Sequence, residues 1–235
     1  MSWTELTFSK ANCLTEGLFS SSAKTPQSYP LFALSNELGT ELFHSLPDGP
    51  ITMTMISSVE QYISNTINII VDTPTGDDTN VILTGSHLDS VPAGPGINDN
   101  GSGSSTNLEM ALQFARNNVK PINTVRFAWW AAEELGLKGS TFYVQNLAKT
   151  DPTMLQNIAF NVNYDMLGST NFIRGIYNGS EAQGSIRASS ITLMKSYQAF
   201  FDKYNLPWEL VPFDGRSDYG PFLEVIRVHS QTRWM

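Results

Sequence analysis

The segment Thr124–Ala132 constrains the fold more than any other stretch of the chain. It reads TVRFAWWAA, apolar apart from Thr124 and Arg126, and it runs straight into Glu133-Glu134. A strand with one wet face alternates apolar and polar residues. A near-continuous apolar run needs cover on both faces, and that cover comes most readily from helices above and below a mainly parallel sheet. The flanking segments agree. Ile67–Val71 and Val81–Thr84 read as strands joined by a turn at Pro74–Asp78. Ser104–Asn118 reads as a helix, with Leu108, Ala111, Leu112 and Ala115 at helical spacing. Ser140–Leu147 and Ser189–Tyr204 are further helices, and Ile158–Met166 and Asn171–Tyr177 further strands. Upstream, a short helix is expected at Asn36–Leu46 and a strand at Ile51–Ile56, separated by the Pro47-Asp48-Gly49-Pro50 turn. Strands alternating with helices give an α/β layer fold.

Composition removes several functional classes. The 235 residues suffice for one sizeable core. Lys and Arg number 14 against 22 Asp and Glu, a net charge of −8, which argues against nucleic acid as a partner. No apolar run reaches the roughly 18–20 residues of a membrane span. The single cysteine, Cys13, can form neither an internal disulfide nor a cysteine-based zinc motif.

The chemistry-bearing residues fall at strand ends. Gly85-Ser86-His87-Leu88-Asp89-Ser90 follows the Val81–Thr84 strand, where open α/β sheets place ligands. Asp89 is close enough to accept the second imidazole N–H of His87 and fix its tautomer. Asp99 lies in the Gly-rich loop Gly94–Gly103 just before a helix, and its two oxygens could each bind a cation. Glu133 and Glu134 end the apolar strand as adjacent carboxylates. Like charges at close range push one pKa upward unless a cation intervenes, which suits one as ligand and the other as general base. Asp165 ends the strand before Met166, and Asp214–Phe222 offers Arg216 with carboxylates in one loop. Taken singly, each fits a turn, a helix cap or a solvated helix start. Taken together, one His and several acidic residues converge on one side of one sheet, a donor set suited to zinc.

Four segments, HLDSVPAGPGINDNGSG, RFAWWAAEELGLKGS, NYDMLGS and DGRSDYGPF, strongly resemble the M28 zinc aminopeptidases over roughly residues 66–224. The resemblance implies a three-layer zinc-exopeptidase fold of the phosphorylase/hydrolase-like type, with a central mixed, mainly parallel sheet. It implies removal of N-terminal residues from peptide substrates by metal-activated water attack. In the family two Zn2+ ions serve each chain. His87 and Asp165 would hold one together with Asp99, which bridges to the second, and Glu134 would bind that second ion. Glu133 would be the general base, Asp89 would orient His87, and Arg216 matches a residue near the substrate-binding cleft. The peptide bond after Asp99 is cis in this family.

The stretch Tyr29–Ser58 more weakly resembles the end of a protease-associated (PA) domain. The expected organisation is a poorly ordered segment at 1–29, a PA remnant at 30–58, the M28 domain at 59–224 and a tail unlike the family at 225–235. The family continues beyond such a domain with a Gly-rich strand and a distal His ligand. Here His229 follows Asp214 by only 15 residues. On this pattern one metal site (His87, Asp99, Asp165) is complete and the other keeps Asp99 and Glu134. The alternative to an active aminopeptidase is therefore an impaired M28-like domain holding one metal. Family relatives are mostly secreted or vacuolar, whereas MSWTELTFSK has no apolar signal core.

Overall fold

A computed structural model describes residues 2–8, 34–49, 51–57 and 63–223. They fall into two compact units divided after Ser64. In the first, β1 (Ser2–Phe8) pairs antiparallel with β2 (Ile51–Ser57), from Ser2 opposite Ser57 to Phe8 opposite Ile51. The expected disorder of residues 1–29 is thus interrupted by a strand, built from strand-favouring Trp3, Thr4, Thr7 and Phe8. Helix α1 (Asn36–Ser45) starts where the Ser35 hydroxyl accepts the Leu38 N–H at 3.1 Å. The remainder of 1–29 and the tail 225–235, with His229, lie outside the described residues.

The second unit holds β3 (Ile69–Asp72), β4 (Asp77–His87), α2 (Gly101–Arg116), β5 (Asn123–Trp130), α3 (Lys138–Thr150) and α4 (Pro152–Asn157). It continues with β6 (Ile158–Asn163), β7 (Gly175–Tyr177), α5 (Arg187–Lys203) and β8 (Glu209–Val211). Four strands form the central sheet in the order β3-β5-β4-β6. β4 runs parallel to both β5 and β6, and β3 joins β5 antiparallel, so the sheet is mixed and mainly parallel. β7 and β8 make a separate parallel pair.

The apolar run of β5 is explained by cover on both faces. Val125, Phe127 and Trp129 pack against Met110, Ala111 and Phe114 of α2. Ala128 and Trp130 face the other way, into a core with Val81 and Leu83 of β4, Val144 of α3, Leu155 of α4 and Phe222. Helix, sheet and helix thus make three layers. Gly85 is required where β4 passes the Trp130 indole, because a Cβ there would collide with the ring. Arg126 is the one charge in the run. Its guanidinium makes a bidentate pair with Asp72 on β3 and donates to the Tyr143 hydroxyl on α3 at 2.7 Å.

Two elements of this second unit were not expected from the sequence. Helix α4 is only six residues, but it carries a start signal: Asp151 accepts the Met154 N–H at 3.0 Å and Pro152 fills the first turn. β8 is three residues long, too short for a period. The strand expected to reach Met166 stops at Asn163, because the chain turns at Met166, whose φ is 55°. Among the described residues no helix is long and apolar enough to cross a membrane.

Candidate metal centre

β4, β5 and β6 end side by side, and their last residues deliver the expected site residues to one place. His87 closes β4 and is 1% exposed. Its Nδ1 lies 3.0 Å from the carbonyl oxygen of Asp89. A carbonyl only accepts, so Nδ1 carries a proton and Nε2 faces the cluster. Nε2 stands 3.2 Å from Asp99, 3.5 Å from Asp165 Oδ1 and 3.9 Å from Glu133 Oε2. His87, Asp99 and Asp165 each offer one ligand atom, and the three lie within 4.8 Å of one another.

Each side chain is aimed by its loop. Asp89 spreads its carboxylate over the turn after β5, accepting the backbone N–H groups of Glu133 at 2.9 Å and Glu134 at 3.1 Å. Its carboxylate is 3.6 Å from His87 Nδ1, so the direct hydrogen bond to the ring goes to its main chain instead. Asn68 holds the other side of the same turn, accepting from Ala131 N and donating to the Gly139 carbonyl at 2.8 Å. Asp165 Oδ2 accepts from the Ser217 hydroxyl at 2.6 Å, and Ser217 in turn accepts from Asn163 at 2.8 Å. That relay occupies one oxygen of Asp165 and leaves Oδ1 turned to His87. The Asp99–Asn100 peptide bond is cis, as the resemblance implied.

The ionisable groups of the cluster shift one another. Burial disfavours a charged His87, yet the carboxylates of Asp165, Glu133 and Asp218 outweigh it and hold the imidazole up at about 9. Burial, with Asp218, Asp165 and Glu134 nearby, pushes Glu133 up to about 7. Burial raises Glu134 too, and the Asp99 charge acts the same way. Asp165 goes the other way: burial raises it, but the His87 imidazole 3.5 Å away and the hydrogen bond from Ser217 hold it below the usual carboxylate range. His87 Nε2, Asp165 Oδ1 and Glu134 Oε1 are buried without a hydrogen-bond partner. A divalent ion between His87, Asp99 and Asp165 would satisfy the first two of these atoms and replace the proton that His87 otherwise retains. The donor set of imidazole and carboxylates fits zinc.

The sequence profile of Peptidase family M28 matches residues 68–229. The chain belongs to that family. M28 relatives of known name include leucine aminopeptidase 2 of Trichophyton equinum, 43% identical over 199 residues, 83% of this chain and 39% of that protein. An aminopeptidase of Pseudomonas aeruginosa is 43% identical over 170 residues, 72% of this chain and 31% of the relative. Among solved structures, a zinc aminopeptidase from Bacillus subtilis superposes with a TM-score of 0.55 at 32% identity. That match takes in 67% of this chain and 37% of the other. The chain thus spans about two fifths of the length of the first curated M28 relative.

The M28 pattern singled out seven positions, and the structure gathers five of them tightly. His87, Asp99 and Asp165 form the three-ligand group, with Glu133 and Asp89 against it. Glu134 is adjacent in sequence but its carboxylate stands outside that group, near Asp99. Arg216 projects outward, its side chain 84% exposed and paired with Asp214 at 2.6 Å. The inward residue of that loop is Asp218, 1% exposed, bound by the buried Ser140 hydroxyl at 2.6 Å. Burial pushes Asp218 up to about 6. Asp218 is not among the site residues expected from the sequence, because a loop with Asp214, Arg216 and Asp218 does not say which one turns in.

Proposed function

We propose that this chain carries the aminopeptidase chemistry of its relatives: zinc-dependent removal of N-terminal residues from peptides. The convergence of His87, Asp99 and Asp165, with the Glu133 carboxylate 3.9 Å from the imidazole, is the observation behind this reading. His87 Nε2, Asp165 Oδ1 and a carboxylate oxygen of Asp99 would hold one ion, and Asp99 with Glu134 a second. Bound zinc would polarise the scissile carbonyl and lower the pKa of water.

The proton traffic belongs to Glu133. A general base works best with a pKa near the operating pH. Without metal, burial holds Glu133 up to about 7; cations bound beside it would lower that value and favour the carboxylate form that accepts the proton. It takes a proton from the attacking water as the C–O bond forms. It returns that proton to the amine nitrogen as the C–N bond breaks, giving an amino acid and a shortened peptide. Asp89 fixes Glu133 by gripping its backbone N–H, and Asn68 fixes the turn from the other side. Site of action follows the same resemblance, a secreted or vacuolar compartment.

The test is hydrolysis of Leu-p-nitroanilide by the zinc-loaded chain. Glu133→Gln is expected to lower kcat by about 10²–10⁴-fold while zinc content is unchanged. Wild-type turnover in Glu133→Gln would overturn the assignment. A second reading, an impaired M28 domain with a single metal, is favoured by one observation: among the described residues only one three-ligand group is found, and Glu134 lies outside it. One zinc per chain with no peptidase activity supports that reading, and two zincs with turnover exclude it.

A further inference from the structure

The two carboxylates that must share an ion, Asp99 and Asp165, come from loops 66 residues apart in sequence, and like charges repel when no cation lies between them. Something must hold them in place before the metal arrives. The side chain beside Asp99 does this. Asn100 is 2% exposed, and its amide is engaged at both ends. Nδ2 donates to the carbonyl oxygen of Tyr164 at 2.9 Å. Oδ1 accepts the N–H of Met166 at 3.3 Å and that of Gly103, in the first turn of α2, at 3.0 Å. The residue between Tyr164 and Met166 is Asp165. One amide therefore brackets Asp165 through the peptide groups on either side of it, while its own main chain carries Asp99.

A second tie lies a turn further out. The Ser102 hydroxyl accepts the Leu167 N–H at 2.7 Å and donates to the Asn98 carbonyl at 2.7 Å. Asn98 Oδ1 accepts the Gly168 N–H at 2.7 Å. Asn98, Asn100 and Ser102 thus flank Asp99 and pin the 164–168 turn through three of its backbone N–H groups and one carbonyl. All of these hydrogen bonds run to main-chain groups of residues 98, 103 and 164–168, not to the carboxylates of the His87 cluster.

We infer that Asn98, Asn100 and Ser102 form a metal-independent clamp that sets the Asp99–Asp165 separation, with Asn100 as its central positioning residue. The inference rests on the metal-site reading above. The role demands an amide at position 100, because only a side chain with a donor and an acceptor can meet Tyr164 O and Met166 N together. Aspartate has the shape but, ionised, only accepts.

The experiment measures zinc affinity of the metal-free chain by chelator competition, with circular dichroism of the same samples and visible spectra of cobalt-loaded samples. Outer partners of metal ligands commonly govern 10–100-fold in affinity. Asn100→Asp and Asn100→Ala are expected to bind zinc about 10–100-fold more weakly and to show altered cobalt bands, while their apo circular dichroism matches wild type. Ser102→Ala, at a half-buried position, keeps the fold in any case and is expected to lose affinity about threefold to tenfold. Should both Asn100 variants fail to fold, Ser102→Ala and Asn98→Ala decide the matter. Wild-type zinc affinity and cobalt spectra in the folded variants overturn the clamp. A wild-type chain that binds no zinc overturns instead the metal-site reading on which the clamp rests.

Discussion

At the scale of single residues, the site separates groups that do chemistry from groups that hold them. The first kind was legible in the sequence. His87, Glu133, Glu134 and Asp165 are ionisable or ligating types at or just past the ends of apolar strands, a costly arrangement without a purpose, and Asp99 sits in the Gly-rich loop before α2. The second kind was not. Asn68, Asn163, Ser217 and Ser140 are amides and hydroxyls in loops and first turns, where the same residue types ordinarily cap helices or close turns. Ser217 shows why they count. Its hydroxyl binds one oxygen of Asp165 at 2.6 Å and so leaves the other, buried and unpaired, turned to His87 as the atom that would meet a metal. Ser217→Ala would let the carboxylate rotate. Its zinc affinity, measured by chelator competition, is expected to fall about tenfold or more, while the core, to which the small hydroxyl contributes no apolar contact, keeps its melting temperature in the apo form within a few degrees. An unchanged affinity would show that Asp165 is oriented by its backbone alone.

At the scale of elements, the apolar period carried most of the fold. β5, β4, α2, α3 and α5 were all expected near their observed places, because burial on two sheet faces and on one helix stripe imposes distinct repeats. What escaped was short or set by tertiary contacts: α4, β8, and the polar start of β4 at Asp77, which reads as turn yet pairs opposite Asn123. Arg126 is an instructive exception to the apolar rule. A guanidinium in a strand covered on both faces is tolerated because Asp72 grips it bidentately and Tyr143 takes a third N–H. The pair also ties the antiparallel edge strand β3 to β5. Asp72→Ala would leave that guanidinium buried with only Tyr143 as partner, at a cost of about 2–3 kcal/mol. Urea unfolding should show the loss as a lower midpoint with an unchanged slope. The double variant Asp72→Ala/Arg126→Met is expected to recover much of the stability, since it removes the stranded charge. A single variant within about 0.5 kcal/mol of wild type would mean that water reaches the guanidinium without the aspartate.

At the scale of the whole molecule, the cluster links folding, protons and metal. Four groups of the cluster bind protons more tightly in the folded chain than in the unfolded one, Glu134 among them. Asp218 rises from an ordinary 3.8 to about 6, Glu133 from 4.5 to about 7 and His87 from 6.5 to about 9. A group whose folded pKa is raised contributes stability that is complete below its unfolded value and is lost as pH climbs through its folded one. The metal-free protein should therefore weaken from about pH 4 to pH 9, first through Asp218 and Glu133, then through His87. Asp165, held below its ordinary value, works in the opposite sense, but only at the acid end, where its stabilisation fades as the carboxylate is protonated. Zinc reverses the main trend. It takes the place of the protons on His87 and its neighbours, so binding releases protons and strengthens as pH rises, and it stabilises the folded state by mass action. Thermal melts of the apo chain at low salt should thus fall steadily between pH 5 and pH 9, whereas melts with excess zinc should hold level or rise. The gap between the two curves should widen toward alkaline pH. Asp218→Asn, which keeps an acceptor for Ser140 but removes one buried titration, should flatten the apo curve below about pH 6 and, by removing one of the charges that hold His87 up, move its alkaline limb to lower pH. An apo curve that rises across this range would show that the carboxylates are not packed against one another in the absence of metal, and with that the case for a preformed zinc pocket would fail.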